Sequence, residues 1–339
     1  MTDIATSHDT TIVGAGPSGL ACAIVLARGG QRVLVREWKP DVGHRFHDDF
    51  QGLENWTRDD DVLDELASAG ITPDFERHGF VTGTVFDPAG RSYRVRGKRP
   101  LFYLLRRGSA EGTLFETEMP DGAWLALGHD IAPGGYAYLL VQDGRGTVAT
   151  CMFTGFRDQA KHVAAAVAFF QAHADLEMHN PRPFGGYGNM RLPVTAMQGG
   201  HPVIGEHAGF QDALAGFGMR HAIRSGVLAA QSRLDGGDYT ARWQAELGPW
   251  LKTGIVNRLV FNAAGEPGMK LAVGRLARSD TGALLKRAYG PSALKRLLLP
   301  VARHWYRAPL ADPSCNHIDC DCVWCQHGDH AEMSELNTV

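Results

Sequence analysis

Residues 10–37 read TTIVGAGPSGLACAIVLARGGQRVLVRE. A β-rich run, Thr10 to Val13, leads into Gly14-Ala15-Gly16-Pro17-Ser18-Gly19. A helical pattern follows, with Leu20, Ile24 and Ala27 predicted on one face. Gly29-Gly30 ends that helix, since glycine accepts the left-handed C-terminal conformation. A second strand, Arg32 to Arg36, ends in Glu37. The spacing is that of a complete β-α-β unit. Gly14 permits the tight strand-to-helix turn, Gly16 lets a pyrophosphate approach the backbone, and Gly19 lets helix and sheet pack closely. The helix start, Pro17 and Ser18, presents free N–H groups and the positive end of a dipole to phosphates. Glu37 stands 23 residues after Gly14, where an acid accepts hydrogen bonds from a ribose 2′-hydroxyl. An acid there argues against a 2′-phosphate and favours FAD or NAD over NADP.

The rest of the chain is read outward from this unit. It has 339 residues, 44% of them hydrophobic, enough for one large or two ordinary cores. A net charge of −3 gives no global basicity for nucleic acid. No 18-residue apolar run and no signal-peptide pattern point to a membrane span or export, so a cytoplasmic protein is expected. After Glu37, Pro40 and Gly43 mark a loop in which Arg45 is either a phosphate ligand or a surface arginine. Asp59 to Ala69 reads as a short helix. Strands follow at Phe80–Phe86, Ser92–Arg96, Leu101–Leu105, two in 113–128, Tyr136–Val141 and Thr147–Phe153. The middle third is thus an antiparallel sheet, closed by a helix over 156–174 with Val163, Val167 and Phe170 inward. From Gly199 to Ala230 a short strand (Pro202 to Ile204), a loop with Gly209, Gly216 and Gly218, and a helix repeat the strand–glycine turn–helix arrangement. The repeat reads as a second cofactor contact.

The two halves together resemble the FAD-dependent oxidoreductases of the geranylgeranyl reductase family, within the para-hydroxybenzoate hydroxylase-like flavoproteins. GAGPSG with Glu37 is similar to that family's ADP-binding unit. Gly205-Glu206-His207-Ala208-Gly209, followed by Gly216-Phe217-Gly218, looks like its second flavin motif. There the acid binds the ribitol, and the next helix start faces the pyrimidine ring. Glu206 stands where the family usually has Asp. Pro133-Gly134-Gly135-Tyr136-Ala137-Tyr138 resembles the aromatic segment over the isoalloxazine, against a plain core strand as the other reading. The resemblance covers roughly residues 8 to 255. It implies hydride transfer from flavin N5 to a C=C bond of a hydrophobic, isoprenoid- or lipid-like substrate, with Tyr136 or Tyr138 as proton donor. NAD(P)H or a ferredoxin-like protein would supply electrons. A monooxygenase of the same superfamily is the alternative, and the Trp-x-Trp-x-Ile-Pro segment of the halogenases is absent.

One departure matters. Relatives carry a helix and further nucleotide-sheet strands after the position of Arg106-Arg107-Gly108, whereas here Ser109–Thr113 runs almost directly into the next strand. Either the sheet closes differently and FAD still binds, or the site is impaired and the protein binds without turnover.

The expected fold is α/β (α+β overall). A discontinuous Rossmann-type FAD-binding domain (8–75 and 190–245) carries an antiparallel-sheet substrate domain (76–189), a helical region (246–312) and a Cys/His-rich tail (313–330). Between 251 and 310 eleven Lys/Arg, Arg258 among them, face two acids, Glu266 and Asp280. This composition reads as amphipathic helices with a basic face, either solvated or peripheral to an anionic membrane. In the tail, Cys315, Cys320, Cys322 and Cys325 are close enough to hold a structural zinc or an iron–sulfur cluster, or to be free thiols.

Overall fold

β1 (Thr10–Val13) pairs in parallel with β2 (Val33–Arg36), Thr10 opposite Val33 and Val13 opposite Arg36. The crossover between them is α1 (Pro17–Arg28). A computed structural model describes residues 7–40, 42, 50–106, 111–154, 158–186, 188, 190 and 192–307. Among the described residues the nucleotide sheet consists of these two strands, and Val13 is 85% exposed.

The chain then makes β3 (Phe50–Glu54), α2 (Val62–Ser68), β4 (His78–Phe80), β5 (Thr82–Phe86), β6 (Ser92–Arg96) and β7 (Phe102–Arg106). Asp61 caps α2 by accepting from the Leu63 N–H. Next come β8 (Glu111–Glu116), β9 (Gly122–Ala126), β10 (Tyr136–Gln142), β11 (Arg145–Cys151), α3 (Gln159–Ala174) and β12 (His179–Phe184). Seven strands form one sheet in the order β12-β8-β11-β10-β9-β5-β6, antiparallel except for the β5–β9 pair. One face buries Ala137, Leu139, Val141 and Val148 against Ala166 and Phe170 of α3. The other carries Tyr136, Tyr138 and Leu140, and a three-stranded sheet, β3-β7-β4, covers part of it through Phe50, Phe80 and Leu104.

Several sequence expectations are corrected. The strand expected over 80–86 is two, because the chain leaves the small sheet after Phe80 and enters the large one at Thr82. The buried stripe of α3 is His162, Ala166 and Phe170, not Val163, Val167 and Phe170. A His162 ring nitrogen meets the Asp130 carbonyl at 2.9 Å, which makes its burial affordable. On α1 the buried residues are Gly19, Ala21, Cys22 and Leu26, while Ile24 is exposed. The cause is a helix partner that accepts only small side chains, described below.

β13 (Met197–Gln198) and β14 (His201–Pro202) form a hairpin through Gly199 and Gly200, both at positive φ. The strand expected over 202–204 therefore turns back on its own neighbour, and β1 has no described partner besides β2. After a 3-10 turn, Gly205–Ala208, the helices are α4 (Met219–Asp235), α5 (Tyr239–Glu246), α6 (Gly248–Ala277), α7 (Thr281–Tyr289) and α8 (Ala293–Arg307). Asp238 and Asp280 cap α5 and α7. α6 is kinked at Gly265, whose combination of φ 54° with ψ −158° only glycine adopts cheaply. Arg258, counted above with the basic face, is 1% exposed and lies inside the protein.

Candidate functional site

The first glycine loop is built as its sequence requires. Gly14 has φ 98°, and its N–H reaches the Arg36 carbonyl at 2.7 Å. A Cβ on Gly19 would stand 2.0 Å from the Gly14 carbonyl oxygen, so only glycine permits this turn. A Cβ on Gly14 or Gly16 would meet nothing within 4 Å, so one side of the loop is open. Pro17 occupies the start of α1, Gly16 offers no capping side chain, and the Ser18 and Gly19 N–H groups have no partner within the helix. Open space over unpaired donors at a helix start can receive an anion.

Glu37 is tied to this loop. Its Oε1 accepts from the Lys39 N–H at 2.9 Å and its Oε2 from the Ala15 N–H at 2.7 Å. Those backbone donors hold its carboxyl below the usual range, so it is ionised at neutral pH. Each oxygen keeps a further lone pair for a ribose hydroxyl.

The second turn packs directly on the first. Gly205 (φ 66°) donates its N–H to Ser225 Oγ at 2.8 Å, and a Cβ on it would stand 2.4 Å from Ser18 Oγ. A Cβ on Gly226 of α4 would stand 2.1 Å from the Ser18 carbonyl oxygen. α1 and α4 thus touch backbone to backbone, which is why the inward face of α1 is Gly, Ala and Cys. Glu206 is half-buried, Ala208 is buried, and Gly209 (φ 82°) ends the 3-10 turn. Asp212 Oδ2 accepts from the Leu214 and Ala215 N–H groups at 3.0 and 2.7 Å, shaping a bend that leads to Gly216 (φ 76°) and Gly218. Gly218 starts α4 without a side-chain cap, so the Met219 and Arg220 N–H groups have no intrahelical partner. This turn is already walled: a Cβ on Gly216 would lie 3.4 Å from Cys151 Sγ, and one on Gly218 would lie 2.5 Å from Gln211 Cγ.

Buried charge supports it from behind. Arg258 donates to the carbonyls of Ala213, Leu214 and Gly134 and lies 3.7 Å over the Phe153 ring. Burial lowers its pKa to about 10, which still leaves it cationic at neutral pH. Burial pushes Asp212 up to about 6 and His221 down to about 3. Arg220 pairs with Glu65 at 2.7 Å and lies 3.9 Å from buried Glu54. Trp56 meets Phe217 edge-on at 5.4 Å, and Tyr289 lies 5.2 Å from the same ring.

Both tyrosines lie on the sheet face that carries Cys151, their rings 6.3 Å apart. The Tyr136 hydroxyl donates to the Ala215 carbonyl at 2.8 Å, and burial raises its pKa far above the ordinary value. Cys151 Sγ approaches the same carbonyl at 3.8 Å. Arg45 and Cys315, Cys320, Cys322 and Cys325 lie outside the described residues, among which no cluster of metal-ligating side chains occurs. No described helix is long and apolar enough to cross a membrane. Sequence reasoning missed Asp212 and Arg258. Their signals were an Asp four residues before Gly216, and a single arginine inside the apolar run Ile255–Phe261.

Residues 12–60 match the model of the NAD(P)-binding Rossmann-like domain. A geranylgeranyl bacteriochlorophyll reductase-like protein of Thermoplasma acidophilum superposes with a TM-score of 0.57 at 16% identity, covering 88% of this chain and 98% of that one. The chain has the fold of a flavin-dependent oxidoreductase. The flavin-dependent brominase Bmp2 shares this oxidoreductase fold with a TM-score of 0.57, 11% identity and the same coverages. Klebsiella pneumoniae HpxO, solved with FAD and uric acid, gives 0.53 at 12% identity, covering 83% of this chain and 97% of that one. The alpha subunit of sarcosine oxidase from Corynebacterium sp. is 31% identical over 100 residues, which span 28% of this chain but 10% of that protein.

Proposed function

We propose that the protein is an FAD-dependent oxidoreductase that reduces a carbon–carbon double bond of a hydrophobic, isoprenoid-like substrate. The observation that carries this reading is the contact of Gly205 and Gly226 with Ser18. It brings two glycine turns about 190 residues apart into direct contact, with the open side of the Gly14–Gly16 loop beside them. When bound, FAD supplies a hydride from N5. The residues present fit it: the α1 start receives the pyrophosphate, Glu37 the ribose, and Glu206 lies in the turn between the two ends. The α4 start turns the positive end of its dipole towards the second turn, which suits a ring that gains negative charge on reduction. Tyr136 stays protonated, but its hydroxyl is held by Ala215, so it gives up a proton only when that bond is exchanged. NAD(P)H or a ferredoxin-type protein is the proposed electron source.

A monooxygenase is the second reading, supported by the likeness of fold to HpxO and Bmp2. One sequence of measurements separates the readings. The cofactor is identified and quantified after purification, bleached anaerobically with dithionite, then offered a prenyl substrate. Reoxidation by the alkene supports the reductase. NAD(P)H consumption that needs both oxygen and substrate supports the monooxygenase. A colourless protein that takes up no added FAD refutes both and leaves a binding module.

A further inference from the structure

Helix α8 carries two apolar stripes, and packing uses one of them. Leu298, Leu299 and Ala302 join the cluster built around Ile255 and Val256 of α6. Leu294, Leu297, Val301 and Trp305 form the other, at 65, 75, 60 and 37% exposure. Their spacing of i, i+3, i+7 and i+11 makes one continuous line along the helix. Single exposed leucines need no explanation, but four apolar side chains in register do.

The charge along α7 and α8 has one sign, and Arg296 and Arg303 lie on the face of α8 opposite the apolar line. From Thr281 to Arg307 there are six Lys/Arg and no Asp or Glu. Lys286 is used on Asp59, and Lys295 on the carbonyls of Ala288 and Gly290. Arg287, Arg296 and Arg303 are exposed, with no partner among the described residues. A second copy docking through the same stripe would cover the apolar line but leave these cations without a counter-charge. A surface offering both acyl carbon and negative charge, with no fixed shape, matches them better.

We propose that α8 is an interfacial anchor for an anionic lipid bilayer. The Leu294–Trp305 line enters the headgroup–acyl boundary while Arg296 and Arg303 remain among the phosphates. Arg287, in the last turn of α7, is a further exposed cation. None of these residues belongs to the two glycine turns, so the anchor stands or falls independently of the chemistry proposed there.

The test uses the full chain and co-flotation with phosphatidylglycerol/phosphatidylcholine vesicles, against vesicles of phosphatidylcholine alone. The chain floats with the anionic vesicles, and much less with the neutral ones. Leu297→Glu with Val301→Glu lowers the partition coefficient about tenfold or more. Arg296→Gln and Arg303→Gln each lower it about fivefold on anionic vesicles at low salt. Far-UV spectrum and thermal midpoint stay unchanged, since these side chains contribute nothing to the core. Absence of flotation overturns the proposal, as does equal flotation of the Leu297→Glu/Val301→Glu chain. Sedimentation as a dimer that this pair dissociates, without vesicle binding, overturns it in favour of a self-association surface.

Discussion

Gly16→Ala separates the two jobs that glycines perform in the first glycine loop. Gly16 has φ −73° and ψ 174°, which any residue adopts, and a Cβ there meets nothing within 4 Å. Folding stability therefore changes by no more than about 1 kcal/mol, with the unfolded-state entropy gain of alanine working against the loss of a tolerated cap. The new methyl instead occupies the open side of the phosphate cradle. Losing one charge-assisted hydrogen bond there costs about 1.5–3 kcal/mol, or about 10- to 100-fold in affinity. The assay is thermal unfolding of apoprotein across an FAD titration. Ligand at a hundred times its Kd adds about 2.7 kcal/mol of stability, so the variant melts with wild-type apoprotein but needs about 10- to 100-fold more FAD for the same rise. Gly19→Ala is the control. Its Cβ would lie 2.0 Å from a backbone oxygen, so the apoprotein itself loses about 1–3 kcal/mol or more. An unaltered FAD response in Gly16→Ala, or a destabilised apoprotein, refutes the assignment of Gly16 to the cofactor.

Arg258→Met strands one buried and two part-buried carbonyls, and urea unfolding is expected to register a loss of about 2–4 kcal/mol, little of which Arg258→Lys restores. Two buried groups titrate with opposite sign. Asp212, raised to about 6, takes up a proton on folding, so its contribution is present in acid and lost as pH rises from about 4 to 6. His221, depressed to about 3, is excluded from protonation, so its contribution is present above about pH 6.5 and lost as pH falls towards 3. Asp212→Asn should therefore steepen the loss of stability on acidification, and His221→Gln should make stability fall between pH 4 and 6; denaturation curves at stepped pH with unchanged slopes count against both. Tyr136→Phe removes one hydrogen bond to the second turn, a loss of about 1 kcal/mol. If the hydroxyl also supplies the proton, single-turnover reoxidation by substrate slows by more than that energy explains.

How much was legible in the residues depended on what each side chain has to satisfy. GAGPSG could be read because each glycine answers a different steric demand, and the distances at Gly14, Gly16 and Gly19 meet those demands one by one. The inward face of α1 could not. Hydropathy weights Ile24 above Gly19 and Ala21, whereas a backbone-to-backbone contact with α4 selects for the absence of bulk. β12 went unread because Pro181 and Pro183 argue against a strand; it lies at the edge of the large sheet, where missing N–H donors cost nothing. Arg258 was counted with surface charge because composition does not reveal that three carbonyls converge on one helix position. The shortening near residue 108 rests on the family resemblance alone; β7 ends at Arg106 and β8 starts at Glu111.

The α1–α4 contact also sets a schedule for biosynthesis. α1 leaves the ribosome well before α4, the helix that covers its glycine face, which begins about 190 residues later. At about 5–20 residues per second, that interval is roughly 10–40 s. Throughout it, the small-residue flank of α1 has nothing to lie against, and β1 and β2 form a ribbon too small to hold together alone. The nascent chain is thus committed to a late closure. Factors that shelter exposed apolar segments during translation should affect the yield of this protein more than its finished stability would suggest.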